Sequence, residues 1–95
     1  MATLYELETQ LRQYYNLRYE LNNIVHYLNN SINYLQPAAK NFLSAYSVDD
    51  ASKGSNSITK YVNELSNERN TINNTIIPSI DYEISELRRK IEEEQ

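Results

Sequence analysis

A chain of 95 residues carries 9 Lys and Arg against 13 Asp and Glu, a formal charge of −4, with no cysteine and a single glycine. One domain is the most this length holds, and the missing cysteines exclude both a disulfide framework and a thiolate metal site. The acidic balance and scattered bases argue against nucleic acid or an anionic membrane as partner, and no apolar run approaches the roughly 20 residues of a membrane span.

Thr3-Leu4-Tyr5-Glu6 reads as a capping box, the Thr3 hydroxyl accepting from the Glu6 amide and the Glu6 carboxylate reaching back. From there Leu4, Leu7, Leu11, Tyr14, Leu21, Val25, Leu28, Ile32, Leu35, Ala39 and Phe42 recur at steps of three and four, with Arg18 the one polar interruption. That spacing predicts an amphipathic helix over about 4–46. Pro37 lies inside it and removes one backbone hydrogen bond, so a kink is expected near Asn33 to Pro37.

The segment Ser47 to Asn56 is polar and contains Gly54, which predicts a turn, with Ser55 or Ser57 as the following N-cap. A second helix over about 57–93 carries Ile58, Val62, Leu65, Ile72, Ile76, Ile80, Ile84, Leu87 and Ile91. Its spacing becomes a run of fours from Ile72 to Ile84, around Pro78, which predicts a stutter and a second kink. The acidic end, Glu92-Glu93-Glu94, opposes the helix dipole and is expected to be solvated and frayed.

The fold expected is therefore all-α, an antiparallel two-helix hairpin forming one domain over 1–95. A turn centred near residue 51 or 52 makes facing residues sum to about 103. Arg18 then lies opposite Glu83 and Glu86, and Arg69 opposite Asn33 and Tyr34. An arginine in an apolar seam needs a partner or a route to water, so a bridge from Arg18 to Glu83 or Glu86 is expected.

Each helix of such a hairpin buries a single stripe, and a domain this small gains stability by covering more surface. Tyr14 and Tyr46 belong to the seam, whereas Tyr5, Tyr15, Tyr19, Tyr27 and Tyr34 lie off it. Tyrosine offers a large contact area and a polar tip, so these five are the candidate partner-binding residues, along a docking face on helix 1. His26 has no second ligand at metal spacing, and one histidine supports no nucleophilic triad. No catalytic, cofactor or metal site is expected, and the chain reads as a non-enzyme.

Two equal helices, no signal peptide, no cysteine and a polar turn around Lys53-Gly54-Ser55 resemble the small WXG-like proteins of type VII secretion. Tyr46-Ser47-Val48-Asp49 and Ile76-Ile77-Pro78-Ser79-Ile80 are similar to the small helical partners of LXG-domain toxins. The resemblance spans the chain. It implies a non-enzymatic adaptor or targeting partner that binds the helical N-terminal region of a larger effector and presents it for secretion, with a second small helical protein as the alternative partner. The start Met-Ala-Thr-Leu-Tyr-Glu lacks the basic residues and apolar core of a secretory signal, so the chain is expected in the cytoplasm; the resemblance adds export through that system without a cleaved signal peptide. Some members carry a Tyr-x-x-x-Asp/Glu export signal late in helix 2, which Tyr82 and Glu86 match, as do Tyr46 and Asp50 at the turn. The family's Trp-x-Gly turn is missing here, as is Phe-x-x-x-Asp, since Tyr46 stands four residues after Phe42. Two other readings compete: a homodimer packing into a four-helix bundle, and a phage-borne inhibitor. The interleaved Arg12, Arg18, Lys40, Lys60 and Arg69 argue against the continuous acidic face that the inhibitor needs.

Overall fold

A computed structural model describes residues 2–45 and 48–95, without the side chains of 43, 45 and 48–51. Helix α1 runs Leu4–Ala45 and α2 Val48–Thr71; a π-helical turn, Ile72–Ile76, then leads without interruption into α3, Ile77–Glu94. The chain is an all-α hairpin, with α1 packed along its length against α2 and α3. It is a rod of 69 × 16 × 14 Å.

The Thr3 cap forms as the sequence predicts, with the Glu6 amide donating to Thr3 Oγ1 at 3.1 Å. The return bond from Glu6 is absent among the described residues. Helix α1 passes through Pro37 as one helix. The proline leaves the Asn33 carbonyl without its usual donor, but both residues are exposed and line an open furrow, so water can replace it.

The reversal of direction is shorter than the sequence implies. Helix α2 is already formed at Val48, so Gly54, Ser55 and Ser57 lie inside a helix instead of forming a turn and its N-cap. Gly54 serves close approach: a Cβ there would collide with the ring of Phe42. Ala39 and Ser55 are buried beside it. Small residues bring the two helices together here, and Phe42 fills the space over the missing side chain.

The run of fours is resolved by the π turn. Each step of four overruns a ~3.6-residue turn by about 40°, so a plain α-helix would carry the isoleucines off the seam. The wide turn instead spans five residues, with the Ile77 amide donating to the Ile72 carbonyl. The apolar stripe passes from Ile72 to Ile77, then continues through Ile80, Ile84, Leu87 and Ile91 at steps of three and four. Ile77 is 8% exposed and Ile76 38%, so Ile77 takes the seam place that the spacing assigned to Ile76. Pro78 follows the π turn directly; its missing N–H leaves a carbonyl of that turn without a donor, and the proline is exposed, so water can replace it. The acidic end stays helical to Glu94, and Arg89 lies between Glu86 at 3.0 Å and Glu93 at 2.6 Å.

The core is thin. Leu28 and Ile32 of α1 meet Val62 and Leu65 of α2, with Leu35, Ile58 and Ile72 packed against them. No described side chain is less than 2% exposed. The accessible surface of 7032 Å² exceeds the roughly 5,700 Å² of a compact protein of this mass.

Two substitutions test this packing against the plain heptad. Ile77→Ala is expected to cost about 2–5 kcal/mol in urea unfolding, whereas Ile76→Ala costs less than about 1 kcal/mol; equal losses would exclude the five-residue step. Gly54→Ala, a stabilising change in an open helix by about 1 kcal/mol, is expected to lower the melting temperature instead, because the methyl group displaces Phe42.

Candidate partner-binding surface

The seam divides the remaining surface into two flanks. A helix turns by about 100° per residue, so the residue before each seam position lies to one side and the residue after it to the other. Because the two helices run in opposite directions, the preceding residues of both share one flank of the rod. The first flank carries Leu17, Ile24, Tyr27 and Tyr34 from α1, with Tyr61 and Ile76 from the returning chain. The second carries Tyr5, Tyr15 and Tyr19.

The furrows between the helices follow this division. Tyr27 and Tyr34 line one of about 390 Å³ together with Leu35, Tyr61 and Leu65. Tyr15 and Tyr19 line another of about 470 Å³ with Arg18, Asp81, Ile84 and Arg88. All five tyrosines named from the sequence are exposed, from 45% at Tyr15 to 77% at Tyr34. They do not lie on one face: the structure brings Tyr27 and Tyr34 together with Tyr61, and Tyr15 with Tyr19, on opposite sides. Tyr14 is half-buried as a seam residue, and Tyr46 lies outside the described residues.

Leu17, Ile24, Tyr61 and Ile76 did not emerge from the sequence as surface residues of interest. A signal for three of them was present. Leu17 and Ile24 are seven residues apart, each just before a seam position, and Tyr61 stands just before Val62. Ile76 was hidden because it fits the heptad when the π turn is not foreseen.

Charge is divided as well. The first flank carries Glu6, Glu20, Glu64, Glu68, Glu83 and Glu86 against Lys90. The second mixes Glu8, Asp81 and Glu92 with Arg12, Lys40 and Arg88. Glu20, Glu64, Glu68 and Glu83 are exposed and take part in none of the ion pairs of the described residues.

Arg18 does not bridge to Glu83 or Glu86. Its Nε donates to Asp81 Oδ1 at 2.5 Å and its Nη2 to Oδ2 at 3.5 Å. Arg69 likewise meets Asn29, Nη1 to Oδ1 at 2.9 Å, not Asn33 or Tyr34. The early start of α2 explains both. These pairs have numbers summing to 99 and 98, four or five below the register of a turn centred at residue 51 or 52. Glu83 is then about 200° around the helix from Asp81, on the other flank, and Glu86 is engaged by Arg89. The Arg18–Asp81 pair is half-exposed, so the arginine both reaches water and finds a carboxylate. The hydrogen bond to Asp81, then its charge, raises the Arg18 pKa above its ordinary value, against a smaller opposing effect of burial.

Tyr82 is exposed and Glu86 half-buried, one helical turn apart on α3; Asp50, with Tyr46, lies outside the described side chains. His26 is exposed and belongs to no metal-binding group among the described residues. No helix of the described residues is long and apolar enough to cross a membrane. The furrows are open to solvent and lined by a mixture of apolar, amide, hydroxyl and charged side chains, so they offer contact area, hydrogen bonding and charge.

A double-mutant cycle separates the observed register from the sequence-based one. Arg18→Ala and Asp81→Ala are expected to be non-additive in thermal unfolding at low salt and additive at about 1 M salt. Arg18→Ala with Glu83→Ala is expected to be additive throughout. Comparison of the chain with protein-family models, with curated proteins and with solved structures returns no match.

Proposed function

We propose that the chain is a non-enzymatic helical adaptor that completes its core on the helical N-terminal region of a larger effector of type VII secretion, of the LXG-toxin kind. The observation that carries the binding reading is the unfinished core. No described side chain is fully buried, while large apolar groups such as Tyr19, Ile24, Tyr27 and Tyr34 stand between 46% and 77% exposed. A rod one helix thick on each side of its seam gains burial when a further helix is laid against it. Two antiparallel helices with open furrows also suit a third and fourth helix in the geometry of a bundle.

The secretion part of this reading rests on the sequence resemblance: the paired helices of similar length and the segments at Tyr46–Asp49 and Ile76–Ile80. Tyr82 and Glu86, one turn apart on α3, are the proposed export element. The competing self-assembled bundle uses the same unfinished core, with a second copy in place of the effector.

The test is an affinity pull-down of the tagged chain from its host, with bound proteins identified by mass spectrometry. Recovery of one larger protein with a long helical N-terminus is expected. Recovery of the bait alone, with a dimeric mass in solution, would overturn the adaptor reading in favour of the four-helix bundle.

A further inference from the structure

The two flanks of the rod differ in charge, and that difference selects an occupant. On the first flank Leu17, Ile24, Tyr27, Tyr34, Tyr61 and Ile76 are exposed, with Tyr27, Tyr34 and Tyr61 lining one furrow, and together they make a strip of apolar groups interleaved with acids. In the observed register, Ile76 falls beside Asn22 and Tyr61 beside Pro37. The strip therefore extends along α1 from about residue 17 to about residue 37, some 30 Å at 1.5 Å per residue. Glu20 stands between Leu17 and Ile24, Glu64 and Glu68 between Tyr61 and Ile76, and Glu83 beyond Ile76 on the same flank. All four are exposed and stand outside the ion pairs of the described residues, whereas Asp81, Glu86 and Glu93 are engaged by Arg18 or Arg89.

From this arrangement we infer that the first flank is a docking site for one amphipathic helix of about 20 residues, whose apolar stripe is bordered by Lys or Arg. The inference rests on the adaptor reading and adds the chemistry of the partner. The apolar strip supplies contact area, in the helix-in-groove mode. The four carboxylates supply the sign: basic borders meet opposite charge, and acidic borders are rejected. A second copy is a poor occupant. A two-fold pairing of like surfaces would set this flank against itself, bringing Glu20, Glu64, Glu68 and Glu83 of both copies into one interface. The second flank has no such preference, because its acids and bases are mixed.

The experiment uses the full chain and two synthetic peptides of about 21 residues, both with Leu at heptad positions a and d. One has Lys at every e and g position, and the other has Glu there. Binding is followed by fluorescence anisotropy of labelled peptide. At about 50 mM salt the Lys-bordered peptide is expected to bind at least about tenfold more tightly than the Glu-bordered one, with the gap closing at about 500 mM. Tyr27→Ser with Tyr34→Ser should weaken binding, and Tyr15→Ser with Tyr19→Ser should not. All four rings are exposed, so circular dichroism should show unchanged helicity. The triple variant Glu20→Lys, Glu64→Lys, Glu68→Lys should reverse the preference.

Equal binding of the two peptides, binding of neither, or loss through Tyr15 and Tyr19 instead would overturn the assignment of this flank. Such a result beside a captured helical partner would leave the adaptor reading intact. Capture of no partner would remove that reading, whichever peptide bound.

Discussion

The register of the single seam governs everything else in this protein. A two-helix hairpin has no third element to correct a misalignment, so the point at which the chain reverses decides which side chains meet across the whole 69 Å rod. Helix α2 begins at Val48, and the early return draws Asp81 to Arg18 and Asn29 to Arg69. Near the reversal the register is held by shape, Phe42 lying over Gly54. Farther out it is held by polar partners that reach across the seam. A polar residue in an apolar seam costs stability but penalises slipped alignments, and each of the two helical arms of the hairpin contributes one arginine of this kind.

The π turn is the second constraint, and it serves the first. Without it, the isoleucines of α3 would drift around the helix and the distal half of the seam would lose its apolar face. Inserting one residue at Ile72–Ile76 restores the phase, so that Ile77, Ile84 and Leu87 are buried. It also turns Ile76 outward. The same local irregularity that saves the core therefore contributes to the exposed apolar strip, and a surface feature arises from a packing requirement.

The proposed function rests on what the seam leaves uncovered. Each helix spends one stripe on its partner and retains two flanks, and neither flank is covered by the described residues. The flanks share aromatic content but differ in the sign and pairing of their charges. A shared hydrophobic need with unequal electrostatics favours a specific partner on one side over indiscriminate association on both. In the adaptor function proposed above, the open furrows and solvated charges are the recognition elements.

The helical hairpin, the Thr3 cap, the seam of α1 and the exposure of Tyr5, Tyr15, Tyr19, Tyr27 and Tyr34 were legible in the sequence. They depend on period and local chemistry, which are properties of neighbouring residues. The place of reversal was not. Polar residues and Gly54 look like a turn until Phe42, twelve positions away, is seen to occupy the space that a Cβ would need. The substitution of Ile77 for Ile76 in the seam was hidden for a related reason. Periodicity counts residues on an ideal helix, and only packing against α1 decides where a wide turn is inserted. The partner of Arg18 and the division of tyrosines between two flanks then follow from the register. Within a helix the sequence determined which residues share a face, because about 100° per residue is set by the backbone. Which faces oppose one another was decided by the tertiary structure, through contacts between residues distant in the chain.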